Sequence, residues 1–139
     1  MGKSTVYGVL GFLVILAILV VLGLFFTVKV EQPFTQLYFE NPTNLPKVML
    51  KGNSYEFSFT IENMEYEEKM YNFVILYENE FERDIIMTSS AKLKHGQSIT
   101  IPVNLQISGS FENELSNNTK ISIQLINMDQ EIHFWGKVL

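Results

Sequence analysis

The chain has no cysteine, two histidines and one tryptophan, and only ten of its residues are Lys or Arg. Without cysteine it can form no disulfide scaffold, no thiolate metal site and no lipid-modified cysteine anchor. His95 and His133 lie far apart in the sequence, and neither has another metal-binding side chain at ligand spacing. No G-x-G-x-x-G, P-loop or H-E-x-x-H motif occurs, and Ser89 and Ser90 lack the G-x-S-x-G setting of a nucleophile elbow. Nucleotide, zinc-hydrolase and serine-nucleophile chemistry therefore have no support, so no enzyme, catalytic residue, cofactor or metal is expected. Cationic residues are scarce where they would matter: from Gln32 onward eight Lys and Arg face fourteen Asp and Glu. Such an acidic domain is a poor partner for nucleic acid, whose phosphates need clustered cations.

What is present begins with a long uncharged run. From Val6 to Thr27 there is no charged residue, and these roughly 22 residues would span about 33 Å as a helix, just over the hydrocarbon thickness of a bilayer. A cleavable signal peptide has a shorter apolar region ending in small residues; this run ends in Leu24, Phe25, Phe26, Thr27 and Val28. The segment reads as an uncleaved signal anchor inserted in the lipid bilayer. Lys3 and the α-amine precede it, and Lys29 beside Glu31 follows it, so the small positive excess favours a cytoplasmic N-terminus and an extracytoplasmic C-terminal domain. The expected organisation is a cytoplasmic tail over 1–5, a transmembrane signal-anchor helix over 6–28, a linker over 29–33 and an extracytoplasmic β-sandwich domain over 34–139. Gly8, Gly11, Ala17 and Gly23 do not fall at the spacing of a helix-dimerisation motif.

Past the linker the pattern changes to a period of two. Tyr55, Phe57, Phe59 and Ile61 alternate with Glu56, Ser58, Thr60 and Glu62; Ile99 to Ile107 and Ile121 to Leu125 alternate in the same way. This is the mark of strands with one buried face. Further runs at Thr35–Glu40, Met70–Tyr77, Ile85–Thr88 and Ile132–Val138 bring the total to about seven strands. Turn residues fall between them at Asn44-Leu45-Pro46, Lys51-Gly52-Asn53, Lys94-His95-Gly96-Gln97, Ser108-Gly109 and Ser116-Asn117-Asn118. Short strands with turns near every ten residues favour an immunoglobulin-like antiparallel β-sandwich. Pro102 interrupts a strand pattern and should mark an edge or a bulge. Thr60, alternating with the aromatic face, should be an outward residue of little consequence.

Several short motifs resemble those of an archaeal family of uncharacterised membrane-anchored domains. They are Phe34-Thr35-Gln36-Leu37-Tyr38, then Pro42-Thr43-Asn44-Leu45-Pro46, Gly52, Asn63-Met64-Glu65-Tyr66-Glu67 and Tyr71. The family's counterparts read PFTEFY, YPTNL and NHEYE, and Met64 stands where the family often has His. Leu93-Lys94-His95-Gly96-Gln97, then the strand from Ile121 and the pair Phe134-Trp135, are similar to its L-x-x-G-E turn and closing LW strand. The resemblance implies a sandwich outside the membrane and an archaeal source, and brings no activity, substrate or catalytic residue.

The remaining candidates concern surface contacts. Asn117-Asn118-Thr119 is an acceptor triplet for N-glycosylation at Asn117. Glu62, Glu65, Glu67 and Glu68 form one acidic loop, and Glu78, Glu80, Glu82 and Asp84 another. Carboxylates so grouped can hold Ca²⁺, but the interleaved Lys69 and Arg83 favour a solvated loop. Met64, Met70 and Met87 could offer thioethers to Cu(I); flexible packing is the simpler expectation. Tyr66 and Phe81 sit within the acidic loops and are the aromatics expected to be exposed for partner contacts. The expected function is a non-enzymatic, membrane-anchored accessory or structural subunit that contacts another membrane or cell-envelope protein. The alternative is a surface module binding a glycan through its aromatics or Ca²⁺ through its acidic loops.

Overall fold

A computed structural model describes residues 2–25, 32–107 and 118–139. The chain divides into two compact units, Met1–Gln32 and Pro33–Leu139.

The first unit holds one helix, α1, Lys3–Phe25. It starts three residues before the expected span because Lys3, Ser4 and Thr5 present no helix breaker ahead of the apolar run. Its described side chains, 7–9 and 11–23, are exposed on every side of the helix. Among the described residues no helix is long and apolar enough to cross a membrane. The segment expected to span the bilayer is a helix in the structure.

The second unit is an all-β sandwich with, among the described residues, eight strands: β1 Phe34–Phe39, β2 Val48–Met49, β3 Ser54–Met64, β4 Lys69–Glu78, β5 Arg83–Leu93, β6 Ser98–Gln106, β7 Thr119–Ile126 and β8 Gln130–Val138. One sheet has the order β1-β3-β6 and the other β2-β8-β7-β4-β5. Among the described residues all pairings are antiparallel except that of the two-residue β2 with the end of β8. Seven strands fall on the expected runs. The eighth, β2, is too short to show a period. The strand expected at Ile85–Thr88 extends to Leu93, because Ser89 and Ser90 pair with Phe73 and Asn72 of β4 despite their weak strand pattern.

The core forms where the two inner faces meet. Phe59, Ile61, Tyr71, Phe73, Ile75, Tyr77, Val103, Leu105, Ile121, Ile123 and Leu125 are buried together. The rings of Phe59 and Phe73 meet edge to face across the sandwich, centroids 5.4 Å apart. Tyr55 and Phe57 are only partly buried but pack against this core. Pro102 lies on β6, an edge of the three-stranded sheet, where a missing amide donor is tolerated. Thr60 departs from expectation: it is 2% exposed. Its hydroxyl donates to Glu40 and meets the Thr100 hydroxyl at 2.7 Å, so the outer face of the central strand is covered by its neighbours.

Candidate functional site

The loop between β3 and β4 is organised by Asn63, the last fully buried residue of β3. Its amide nitrogen donates to the carbonyls of Glu67 and Leu93, both at 2.8 Å, and its amide oxygen accepts from the Glu65 backbone at 2.9 Å. Both of its N–H donors and its carbonyl oxygen are engaged, tying the β3–β4 loop and the end of β5 to the end of β3. Nothing in sequence spacing singled out Asn63, since one of its partners, Leu93, lies in β5, thirty positions away.

Glu65 is fixed just above it. Its carboxylate accepts from the Thr35 hydroxyl at 2.8 Å and pairs with Lys69 at 3.0 Å. Since Thr35 has one proton and gives it to Glu65, the Tyr71 hydroxyl donates to Thr35 across 3.0 Å. The Lys69 hydrogen bond, with help from Thr35, holds the Glu65 carboxyl below its ordinary value. Burial pushes the Tyr71 phenol up.

This frame presents Tyr66. Its φ of 61° lies in the left-handed region, an uncommon conformation for a bulky residue. Its amide donates to His95 Nδ1 at 3.2 Å, and the two rings lie 4.8 Å apart with a 32° tilt. That bond requires an unprotonated Nδ1. His95 is itself set by the following turn, where Gly96 takes a φ of 74° and donates to the Asn63 carbonyl at 2.6 Å. Tyr66 remains 56% exposed. The result is an aromatic pair raised on a hydrogen-bonded base, at the end of the sandwich where β1 begins, since Phe34 pairs with Met64.

Phe81, 62% exposed, tips the turn between β4 and β5. Asn79 builds that turn by accepting from the amides of Phe81 and Glu82 at 2.8 and 2.7 Å. Tyr66 precedes β4 and Phe81 follows it, so the ten-residue strand sets them about 30 Å apart, at opposite ends. The structure does not bring the two candidate contact residues into one site. Asn117 lies outside the described residues.

The acidic loop between β3 and β4 is tied to lysines. Besides the Glu65 pair, Glu67 lies 3.7 Å from Lys69 and Glu68 is 2.5 Å from Lys92. Among the described residues no group of three acidic or His side chains could hold a metal ion. The methionines do not converge either: Met70 pairs with Lys92, which sets it about 17 Å along β5 from Met87. His133 lies on β8, 3.4 Å from Glu131 and beside the exposed Trp135. Glu131 also pairs with Lys120 at 2.5 Å and accepts from Gln124 at 2.7 Å, and the Lys120 bond is the main reason its carboxyl is held low.

No protein-family model matches the chain, and no curated protein does. Solved structures share its fold. A Listeria innocua β-glucosidase bound to glucose superposes with a TM-score of 0.60 at 14% identity, over 76% of this chain and 16% of the enzyme. The Pseudomonas fluorescens alkylpurine DNA glycosylase AlkC, bound to DNA with an abasic site analogue, gives 0.60 at 10% identity over 75% and 30%. The Bacillus subtilis sporulation control protein Spo0M gives 0.50 at 8% identity over 78% and 50%. This chain spans half or less of each of these proteins, and at such identities the likeness concerns the fold alone.

Proposed function

We propose that the protein is a non-enzymatic module in which α1 is a membrane anchor and the sandwich is an extracytoplasmic contact domain for another membrane or envelope protein. The observation that carries this reading is α1 itself: a 23-residue helix, apolar on every side, joined to a separate compact unit. A helix without a polar face belongs inside a large core or a bilayer, and the sandwich has a complete core of its own. The order β1-β3-β6 opposite β2-β8-β7-β4-β5, with β2 parallel to β8, supports the immunoglobulin-like form of the sandwich. The archaeal family resemblance agrees with this arrangement and adds no activity.

Within this reading Tyr66 and His95 are the contact residues best prepared by their surroundings. An exposed ring held in a strained backbone conformation by a buried asparagine is pre-organised, and contacts of that kind lose little entropy on binding. The test of the anchor is protease treatment of intact cells or spheroplasts expressing the full chain. The sandwich is expected to be digested without lysis while remaining in the membrane fraction through an alkaline carbonate wash. Protection until lysis would invert the orientation, and release by the wash would remove the anchor.

A further inference from the structure

A cavity of about 530 Å³ opens on the outer face of the three-stranded sheet, beneath the segment that follows β1. Its floor is a two-by-two patch of β3 and β6 in which Glu56 lies directly opposite Asn104 and Ser58 directly opposite Pro102. Its wall is the stretch from Asn41 to Leu45, a single 3₁₀ turn over Pro42–Asn44. The wall is held in place by backbone bonds from Glu40 to the Ser58 carbonyl at 3.1 Å and from Asn44 to the Asn41 carbonyl at 3.0 Å.

The polar groups around this cavity are unspent. Asn41 stands at the N-cap of the turn, where an Asn side chain ordinarily caps the following amides, yet it makes no capping bond. Among the described residues no side-chain hydrogen bond or ion pair engages Asn44, Glu56, Ser58 or Asn104, although Glu56 and Asn104 face each other across the ladder. Elsewhere in the sandwich Asn63, Asn79 and Gln124 are all committed to protein partners. The cavity therefore gathers three amides, a hydroxyl and a carboxylate whose capacity is turned to the solvent.

The chemistry of the lining limits what it can receive. Among the described residues no Lys, Arg or His lines it, a lining that disfavours a phosphate or other anion. A lone carboxylate provides no acid and base pair. Amide and hydroxyl groups both donate and accept, so they match a ligand whose own groups do both. Leu45, Phe57 and Pro102 add apolar surface beside them. Hydroxyls along one edge and a C–H face on the other describe a sugar ring, and the volume is in the range of small-ligand sites.

We propose that this cavity binds a neutral sugar ring, the terminal unit of a glycan chain, with Asn41, Asn44 and Asn104 as its hydrogen-bonding residues. The site is separate from the Tyr66 end and does not depend on the partner reading. The test is titration of the full-length chain in nanodiscs free of glycolipid, followed by ligand-observed NMR. The probes are methyl α-glucoside, methyl α-mannoside, methyl β-galactoside and N-acetylglucosamine, with glucose 6-phosphate as the anionic control. At least one neutral ring is expected to bind saturably with a dissociation constant on the order of 1 mM, and the phosphate at least about tenfold more weakly. Asn104→Ala, and separately Asn44→Ala, should weaken the neutral ring about tenfold while leaving the melting temperature unchanged, since both side chains are exposed. No saturation by any neutral probe, equal binding by both variants, or preference for the phosphorylated sugar would overturn the proposal.

Discussion

Thr60 and Phe59 are adjacent in β3 and point to opposite faces, yet both are buried. Phe59→Ala should cost about 3–5 kcal/mol, the usual range for emptying an aromatic site in a core. Thr60→Ala should cost about 1–2 kcal/mol, because it deprives Glu40 and Thr100 of a shared partner. Chemical denaturation of the two variants checks both values, and a neutral Thr60→Ala would show that the hydroxyl cluster contributes nothing net. Alternation in the sequence identified the inner face correctly and could not reveal the cover on the outer one, because Glu40 follows β1 and Thr100 lies in β6. Asn63 was illegible for the same reason. A second expectation at this scale concerns acid. Glu65, held low mainly by Lys69, and Glu131, held low mainly by Lys120, bind a proton less readily in the folded chain than at their ordinary value of 4.5. Their contribution to stability is therefore complete above pH 4.5 and is lost as pH falls from there through the lowered folded values. Melting temperature followed against pH should decline below about 4.5, and Lys69→Met should flatten part of that decline.

Between β2 and β8 the strands pair in parallel over two residues only, with Lys51 and Leu139 extending the contact through one more backbone bond of 3.1 Å. The pairing depends on Gly136. A Cβ there would lie 2.6 Å from Met49 Cε and 3.0 Å from the Pro46 carbonyl oxygen. The methionine tip can turn aside, but the carbonyl is backbone and must shift the segment that carries β2. Gly136→Ala is accordingly expected to destabilise by about 1–3 kcal/mol, and hydrogen exchange should show faster opening at Met49 and Leu139 than at β4 or β7. Uniform acceleration across the sandwich would mean that β2 is part of one cooperative unit with the core. The sequence showed β8 by its alternation and Gly136 as an ordinary glycine; the constraint is visible only once Met49 is placed against it. β5 teaches the complementary point. Its second half has little strand pattern of its own and is a strand because β4 offers it a ladder.

For the whole molecule the decisive geometric fact is that β4 separates Tyr66 from Phe81. Both residues were legible as exposed aromatics in acidic loops, and neither their separation nor the different ways they are held could be read before the strands were paired. Tyr66 is braced by His95 and by the Asn63 frame beneath it, whereas Phe81 rides on a turn built by Asn79 alone among the described side chains. A partner of ordinary contact size covers about 800 Å² on each side, a patch reaching about 16 Å from its centre, so a contact centred on Tyr66 leaves Phe81, about 30 Å away, outside it. A photo-crosslinking amino acid placed at residue 66 in the full-length chain should therefore capture a membrane or envelope protein that the same probe at residue 81 does not. The comparison must be made in cells before extraction, so that weak contacts survive. Asn63→Ala should reduce capture from residue 66 by loosening the loop that presents it, with expression and membrane insertion retained. Capture of one protein from both positions would require a partner that wraps the sandwich from end to end, and capture only from residue 81 would move the contact site to the opposite pole.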